Sequence, residues 1–187
     1  MRILSILLVA LLMTACSKSK PDEVVVLKTE LGTIYIDVYE HETPLHASNF
    51  KRLASSGQLV GTYFHRVVPG FVIQGGDPNT KNDDRSDDGY GGIGERIPAE
   101  IGMKHLRGSV GMARDNNPAK ASNGSQFYIC LKNLPQLDGG YTVFGKVIKG
   151  MDVVDKIAAL ERDERDNPLE SVHITATEVV PRNKLGF

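Results

Sequence analysis

The chain has 187 residues, with 22 lysines and arginines against 23 aspartates and glutamates and a net charge of −1. That length suits one domain with a short appendage, and the missing basic excess argues against nucleic acid as a partner. Hydrophobic residues at 41% can fill a core, while 19 glycines point to many turns and a β-rich fold.

Met1-Arg2 supplies a positive charge, and residues 3–15 form an uncharged, mostly aliphatic run. The run falls short of the about 20 apolar residues that span a bilayer and has the length of a signal-peptide core. It ends Leu12-Met13-Thr14-Ala15-Cys16, small residues before a cysteine. This resembles the lipobox of bacterial lipoproteins, where cleavage precedes the cysteine and the thiol takes a lipid. The expectation is a signal peptide over residues 1–15, a lipidated Cys16 with a polar tether over 16–23, and a folded domain over 24–187. An ordinary secretory signal with a nearby cysteine is the alternative. Ser17 lacks the aspartate that holds many Gram-negative lipoproteins at the inner membrane, so in a Gram-negative host an outer-membrane anchor facing the periplasm is favoured.

Residues 24–27 are a β-branched run, and after a turn at Leu31-Gly32 residues 33–39 alternate, with Ile34, Ile36 and Val38 on one face. That predicts an antiparallel hairpin with one buried face. Thr43-Pro44 offers an N-cap and a first-turn proline. The helix it opens places Leu45, Phe50, Leu53 and Ala54 on one face and ends near Gly57. His41 and His46 read as surface residues. Strand-like runs follow near residues 63–68, 71–74, 109–113, 126–131 and 142–148, then a second helix from Gly150-Met151 and a last strand over 172–179. Eight strands with two helices predict a mainly β fold, a closed eight-stranded antiparallel β-barrel capped by two α-helices. Cys130, inside an apolar strand, reads as a buried, inert thiol.

Three glycine patterns are decoys. Gly89-Tyr90-Gly91-Gly92-Ile93-Gly94 fits a dinucleotide fingerprint, but an acidic stretch precedes it and Pro98 follows where a helix is needed. The stretch from Gly140 to Gly145-Lys146 imitates a P-loop, but Val147 stands where a magnesium-holding hydroxyl belongs. Asp84, Ser86, Asp88, Gly89 and Glu95 follow calcium-loop spacing, without flanking helices. A solvated acidic loop is the reading there, with calcium as the alternative.

The segment Phe64-His65-Arg66-Val67-Val68-Pro69-Gly70-Phe71-Val72-Ile73-Gln74-Gly75-Gly76-Asp77 sets one cation and one glutamine among strand-forming apolar residues. A solvent-facing arginine would account for it on spacing alone. In strict alternation Phe71 and Ile73 would face away from Val72 and Gln74 unless a bulge intervenes. The segment resembles the cyclophilin signature, and the resemblance continues through Gly108-Ser109-Val110-Gly111-Met112-Ala113, Asn123-Gly124-Ser125-Gln126-Phe127-Tyr128-Ile129 and Leu137-Asp138-Gly139 to Val143-Phe144-Gly145-Lys146-Val147. It covers essentially all of residues 24–180.

The resemblance implies a peptidyl-prolyl cis/trans isomerase acting on X-Pro segments of unfolded or exported proteins, with no cofactor and no metal. Arg66 then meets the prolyl nitrogen, Gln74 hydrogen-bonds the substrate backbone, and Phe71, Val72, Tyr128 and Leu137 hold the proline ring. His65, Gln126 and Tyr141 join the binding surface, while Ala113 and Arg114 match positions whose main chain pairs with the peptide. Gln136 replaces the tryptophan of many relatives, which implies weak cyclosporin binding. A proline-binding or chaperone module without turnover is the alternative function.

Overall fold

The computed structural model describes residues 22–187; the expected signal peptide, the Cys16 lipidation site and most of the tether lie outside the described residues. Eight strands form one antiparallel sheet: β1 (Glu23–Thr29), β2 (Gly32–Val38), β3 (Arg66–Val68), β4 (Val72–Gly75), β5 (Ser109–Met112), β6 (Phe127–Cys130), β7 (Val143–Lys149) and β8 (Ile174–Pro181). Their spatial order is β3-β4-β6-β5-β7-β2-β1-β8. The expected hairpin is there, with Leu27 opposite Ile34 and Val25 opposite Ile36, and Ile34, Ile36 and Val38 are buried.

The sheet curls into a half-barrel and does not close, which corrects the expectation of a closed barrel. Its edge strands β3 and β8 share no ladder. Only an isolated bridge, Tyr63 to His173, and flanking bonds such as Ile174 N to Thr62 O at 2.8 Å span that gap. The cause is local. β3 has three residues and runs into Pro69-Gly70, and the Val67 N–H already donates to the Asp166 carbonyl at 2.8 Å. The turn before β8 thus occupies the edge that β8 itself would need.

Two helices, α1 (Pro44–Ser55) and α2 (Met151–Ala158), pack against the sheet. α1 lies against β8, β1 and β7, and α2 against β2, β4 and β3. Phe50 on α1 reaches Phe127 and Phe144, with ring centroids 5.2 and 4.9 Å away. Its buried face is His46, Ala47, Phe50, Leu53 and Ala54; Leu45, expected there, is 51% exposed.

The start of α1 also differs from expectation. Thr43 makes no side-chain cap; its hydroxyl donates back to the Tyr39 carbonyl at 3.0 Å. The cap comes from afar, because the Glu100 carboxylate accepts from Leu45 N–H and His46 N–H at 3.0 Å each. A carboxylate at a helix N-terminus satisfies orphan donors and complements the dipole. His46, expected on the surface, is fully buried between Glu100 (2.6 Å) and the Ser122 hydroxyl (2.9 Å).

This cluster makes the fold acid-sensitive. Burial holds His46 below its ordinary pKa of 6.5, against the opposing pull of Glu100. A base lowered in the folded state contributes fully above its unfolded pKa and loses that contribution as pH falls below about 6.5. Burial works against the Glu100 charge, but the Leu45 and His46 N–H groups and the His46 ring outweigh it and hold the carboxyl below its ordinary value. Its contribution is lost later, as pH falls through that lowered pKa. Melting temperature is expected to fall as pH drops below about 6.5, and His46→Gln to flatten that slope. An equal slope in both proteins would contradict the assignment.

Candidate active site

The period-2 alternation of β3, β4 and β6 sorts their side chains onto two faces. Val67, Ile73 and Ile129 point into the main core. Arg66, Gln74, Tyr128 and Gly111 pair in register across β3, β4, β6 and β5, forming a row on the opposite face. A second apolar cluster of Val72, Tyr128, Cys130 and Leu134 floors this face, with Phe71, Ala113, Leu137 and Tyr141 packed on it. Phe71 joins Val72 in that cluster because it lies in the turn before β4, its N–H donating to Val68 O at 2.9 Å. The turn resolves the conflict that strict alternation would raise.

Arg66, Phe71, Val72, Gln74, Ala113, Arg114, Tyr128, Leu137 and Tyr141 line one cavity of about 190 Å³. Nine of the expected site residues thus converge on a single slot. The Arg66 side chain stands 40% exposed with its nearest carboxylate, Asp166, 3.9 Å away. Such a contact between exposed partners is weak, so the guanidinium is free to meet another group.

Gln74 is held from behind. Its amide donates to Gln126 Oε1 at 2.9 Å, and the Gln126 amide donates to the carbonyls of Gly89 (2.9 Å) and Gly91 (2.7 Å) and to Asp77 (3.3 Å). Gln126 is 3% exposed, so it acts through Gln74 while its own rim borders a neighbouring groove of about 530 Å³. Asp77 is fully buried and also accepts from the N–H groups of Asn79, Gly89 and Gly91. Gly91 is required here, since a Cβ would come within 2.2 Å of Asp77 Oδ1.

Tyr128 is fixed by partners that sequence reasoning missed. Its hydroxyl meets His105 Nε2 at 2.8 Å, and His105 Nδ1 meets Asp138 Oδ1 at 2.8 Å. The same Asp138 oxygen accepts from His105 N–H at 2.9 Å. Gly111 leaves room for the ring, for a Cβ there would lie 2.3 Å from Tyr128 Cζ. Leu137-Asp138-Gly139 carried a signal, in that the aspartate follows a wall residue of the slot; His105 carried none.

Ala113 donates its N–H to Gln126 O at 2.8 Å, and its carbonyl accepts from Asn123 N–H at 2.7 Å. Of the pair expected to offer main chain, Ala113 is therefore occupied within the fold. The Arg114 side chain donates to Gly140 O at 2.8 Å and lies 4.8 Å over the Tyr141 ring, a cation–π contact that stiffens the rim. His65 lines a separate cavity beside Arg66.

Among the described residues lining the slot there is no cysteine or serine nucleophile. Burial, with Asp138 adding to it, pushes the Cys130 thiol up to about 12, and burial likewise raises the Tyr128 phenol. In the acidic loop, one carboxylate of the calcium-like spacing is committed within the fold. The Asp88 carboxylate is buried and accepts from the Tyr63 hydroxyl and the Asn167 amide, while Asp84 accepts from Ser86 N–H at 2.9 Å.

The fold and site thus define a curled antiparallel sheet with the weakly paired Arg66 guanidinium in the wall of an apolar slot. The comparisons are more specific. The model of the cyclophilin type peptidyl-prolyl cis-trans isomerase family matches residues 24–179, and the chain belongs to that family. A probable peptidyl-prolyl cis-trans isomerase of Brucella abortus is 42% identical over 147 residues, 75% of this chain and 74% of that protein. A peptidyl-prolyl cis-trans isomerase of Acinetobacter baylyi is 42% identical over 137 residues, 71% of this chain and 70% of the other. A crystal structure of a Cryptosporidium parvum cyclophilin type isomerase, obtained in the presence of the dipeptide Ala-Pro, superposes with a TM-score of 0.76 at 31% identity, covering 84% of this chain and 98% of that one.

Proposed function

We propose that this isomerase accelerates X-Pro rotation in exported proteins by binding the twisted amide more tightly than either planar isomer. The barrier of about 18–20 kcal/mol arises because the nitrogen lone pair is delocalised into the carbonyl. As the bond twists, the lone pair leaves conjugation and becomes a hydrogen-bond acceptor. Arg66 supplies a donor there that stays charged at every relevant pH. Phe71, Val72, Tyr128 and Leu137 hold the ring, Gln74 and the Arg114 main chain hold the flanking backbone, and Tyr141 closes the rim. The observation that carries this reading is the weakly paired Arg66 guanidinium standing in the wall of an apolar slot. Acceleration of exchange in a short X-Pro peptide tests it; unchanged exchange would overturn it.

Two further expectations belong to this reading. Cys16 is the acylated N-terminus that ties the isomerase to a membrane, in a Gram-negative host the periplasmic face of the outer membrane. Cys16→Ser is expected to release the protein from the membrane fraction or to block its processing, and unchanged membrane attachment would contradict this. Cyclosporin is expected to inhibit weakly, because exposed Gln136 offers neither the apolar area nor the donor N–H of an indole. Inhibition as tight as that of tryptophan-bearing relatives would contradict it.

A further inference from the structure

His105 is 1% exposed and does not itself line the proline slot, yet it holds two residues that do. Its Nε2 meets the Tyr128 hydroxyl and its Nδ1 meets Asp138 Oδ1, each at 2.8 Å. Its main chain bonds the same turn twice more. The His105 carbonyl accepts from Leu134 N–H at 2.8 Å, and the His105 N–H donates to Asp138 Oδ1 at 2.9 Å. Between those two anchors the chain places Leu134 in the floor cluster and Leu137 in the slot wall. One buried histidine therefore ties Tyr128 of β6 to the turn that carries Leu137.

The His105 N–H, and after it the His105 ring, hold the Asp138 carboxyl below its ordinary pKa, so it stands as a carboxylate that only accepts. The ring proton facing it therefore sits on Nδ1, and in the neutral ring Nε2 accepts from the Tyr128 hydroxyl. Tyr128 then turns its O–H away from substrate and shows the slot only carbon. Nor can its ring retreat. A Cβ on Gly111 would lie 2.3 Å from Tyr128 Cζ, so the ring already rests against the β5 backbone. Tyr141 packs edge-on against both rings, with centroids 6.1 Å from Tyr128 and 6.5 Å from His105. Walls held by hydrogen bonds on one side and backbone on the other leave little slack for a larger ring.

We propose that His105 and Asp138 are positioning residues that fix the width of the proline slot, and so make the enzyme select a five-membered ring over a six-membered one. The proposal rests on the isomerase reading and adds a selectivity to it. Peptides carrying proline or its six-membered homologue, pipecolic acid, at the same place are compared by kcat and KM for accelerated exchange. The unmodified protein is expected to favour proline about 10- to 200-fold in kcat/KM, the range for one extra methylene in an apolar pocket. His105→Leu and Asp138→Ala are each expected to shrink that ratio to a few-fold, chiefly by raising KM for the proline peptide. A wall that holds either planar isomer contributes uniform binding, which KM reports. Asp138→Asn keeps an acceptor oxygen toward His105 and is expected to retain most of the ratio. A ratio that survives both His105→Leu and Asp138→Ala, or one that falls only through kcat, would overturn the proposal.

A merely structural role gives a different result, because loss of folded protein lowers the rate for both peptides alike and leaves their ratio standing. The unmodified protein supplies a readout that needs no variant. The ¹⁵N shifts of the neutral His105 ring are expected to place its proton on Nδ1, and a proton on Nε2 instead would overturn the relay. Equal acceleration of proline and pipecolyl peptides by the unmodified protein removes the slot-width proposal alone. A protein that accelerates neither removes the isomerase reading and the proposal with it.

Discussion

Arg66→Ala is expected to lower the isomerisation rate about 100- to 1,000-fold while proline-peptide affinity changes little. Losing one preorganised donor at a developing acceptor costs about 3–4 kcal/mol of transition-state stabilisation. Each factor of ten corresponds to about 1.36 kcal/mol. The ground state depends on other groups, since Phe71, Val72, Tyr128 and Leu137 form the apolar walls whichever planar isomer is seated. An interaction made only in the transition state lowers kcat and kcat/KM together and leaves binding intact. Arg66→Lys is expected to recover little, because an ammonium lacks the planar fork and sits differently over the bond. The fold should tolerate both changes, as the Arg66 side chain stands 40% exposed with only a 3.9 Å contact to Asp166. Near-normal exchange in Arg66→Ala would remove Arg66 as the electrophile.

Asp77→Ala is expected to cost about 1–3 kcal/mol of stability for each buried donor that it leaves without a partner. Asp77 is fully buried, and its two oxygens gather the N–H groups of Asn79, Gly89 and Gly91 together with the Gln126 amide. Alanine strands those donors in a site where water replaces them poorly. The same residue ties the loop over residues 78–95 to Gln126, and Gln126 holds Gln74. Asp77→Ala should therefore release Gln74 and lower turnover even at a temperature where the variant remains folded. Asp77→Asn keeps the shape and one acceptor oxygen, so its loss of stability should be smaller. Denaturant titration measures both, and an Asp77→Ala midpoint equal to that of the unmodified protein would contradict the network's role.

Strand periodicity and turn residues made most of the fold legible, while its failures share one cause. Ile34, Ile36 and Val38 alternate cleanly, and they are buried as the pattern demands. Nothing local revealed that β3 would stop after three residues and take its outer hydrogen bond from Asp166 instead of β8. His46 looked like a surface residue because its partners, Glu100 and Ser122, lie 54 and 76 positions away. The slot itself was legible through resemblance alone, since a lone arginine among strand residues has a plain solvent-facing explanation. Its support was not. Tyr128 depends on His105 and Asp138, and Gln74 on Gln126 and Asp77, through contacts that exist only once distant strands and loops meet. Side chains that position other side chains leave little trace in local spacing.

Exchange spectroscopy on an X-Pro peptide at equilibrium, with the unmodified protein present in catalytic amount, tests the central claim most directly. Uncatalysed exchange takes tens to hundreds of seconds. The account predicts interconversion accelerated by several decades, with the acceleration proportional to protein concentration and both isomers unchanged in population. Peptide that binds the slot, seen by shifts at Phe71 and Tyr128, yet exchanges no faster than in buffer would contradict it and leave a proline-binding module without turnover.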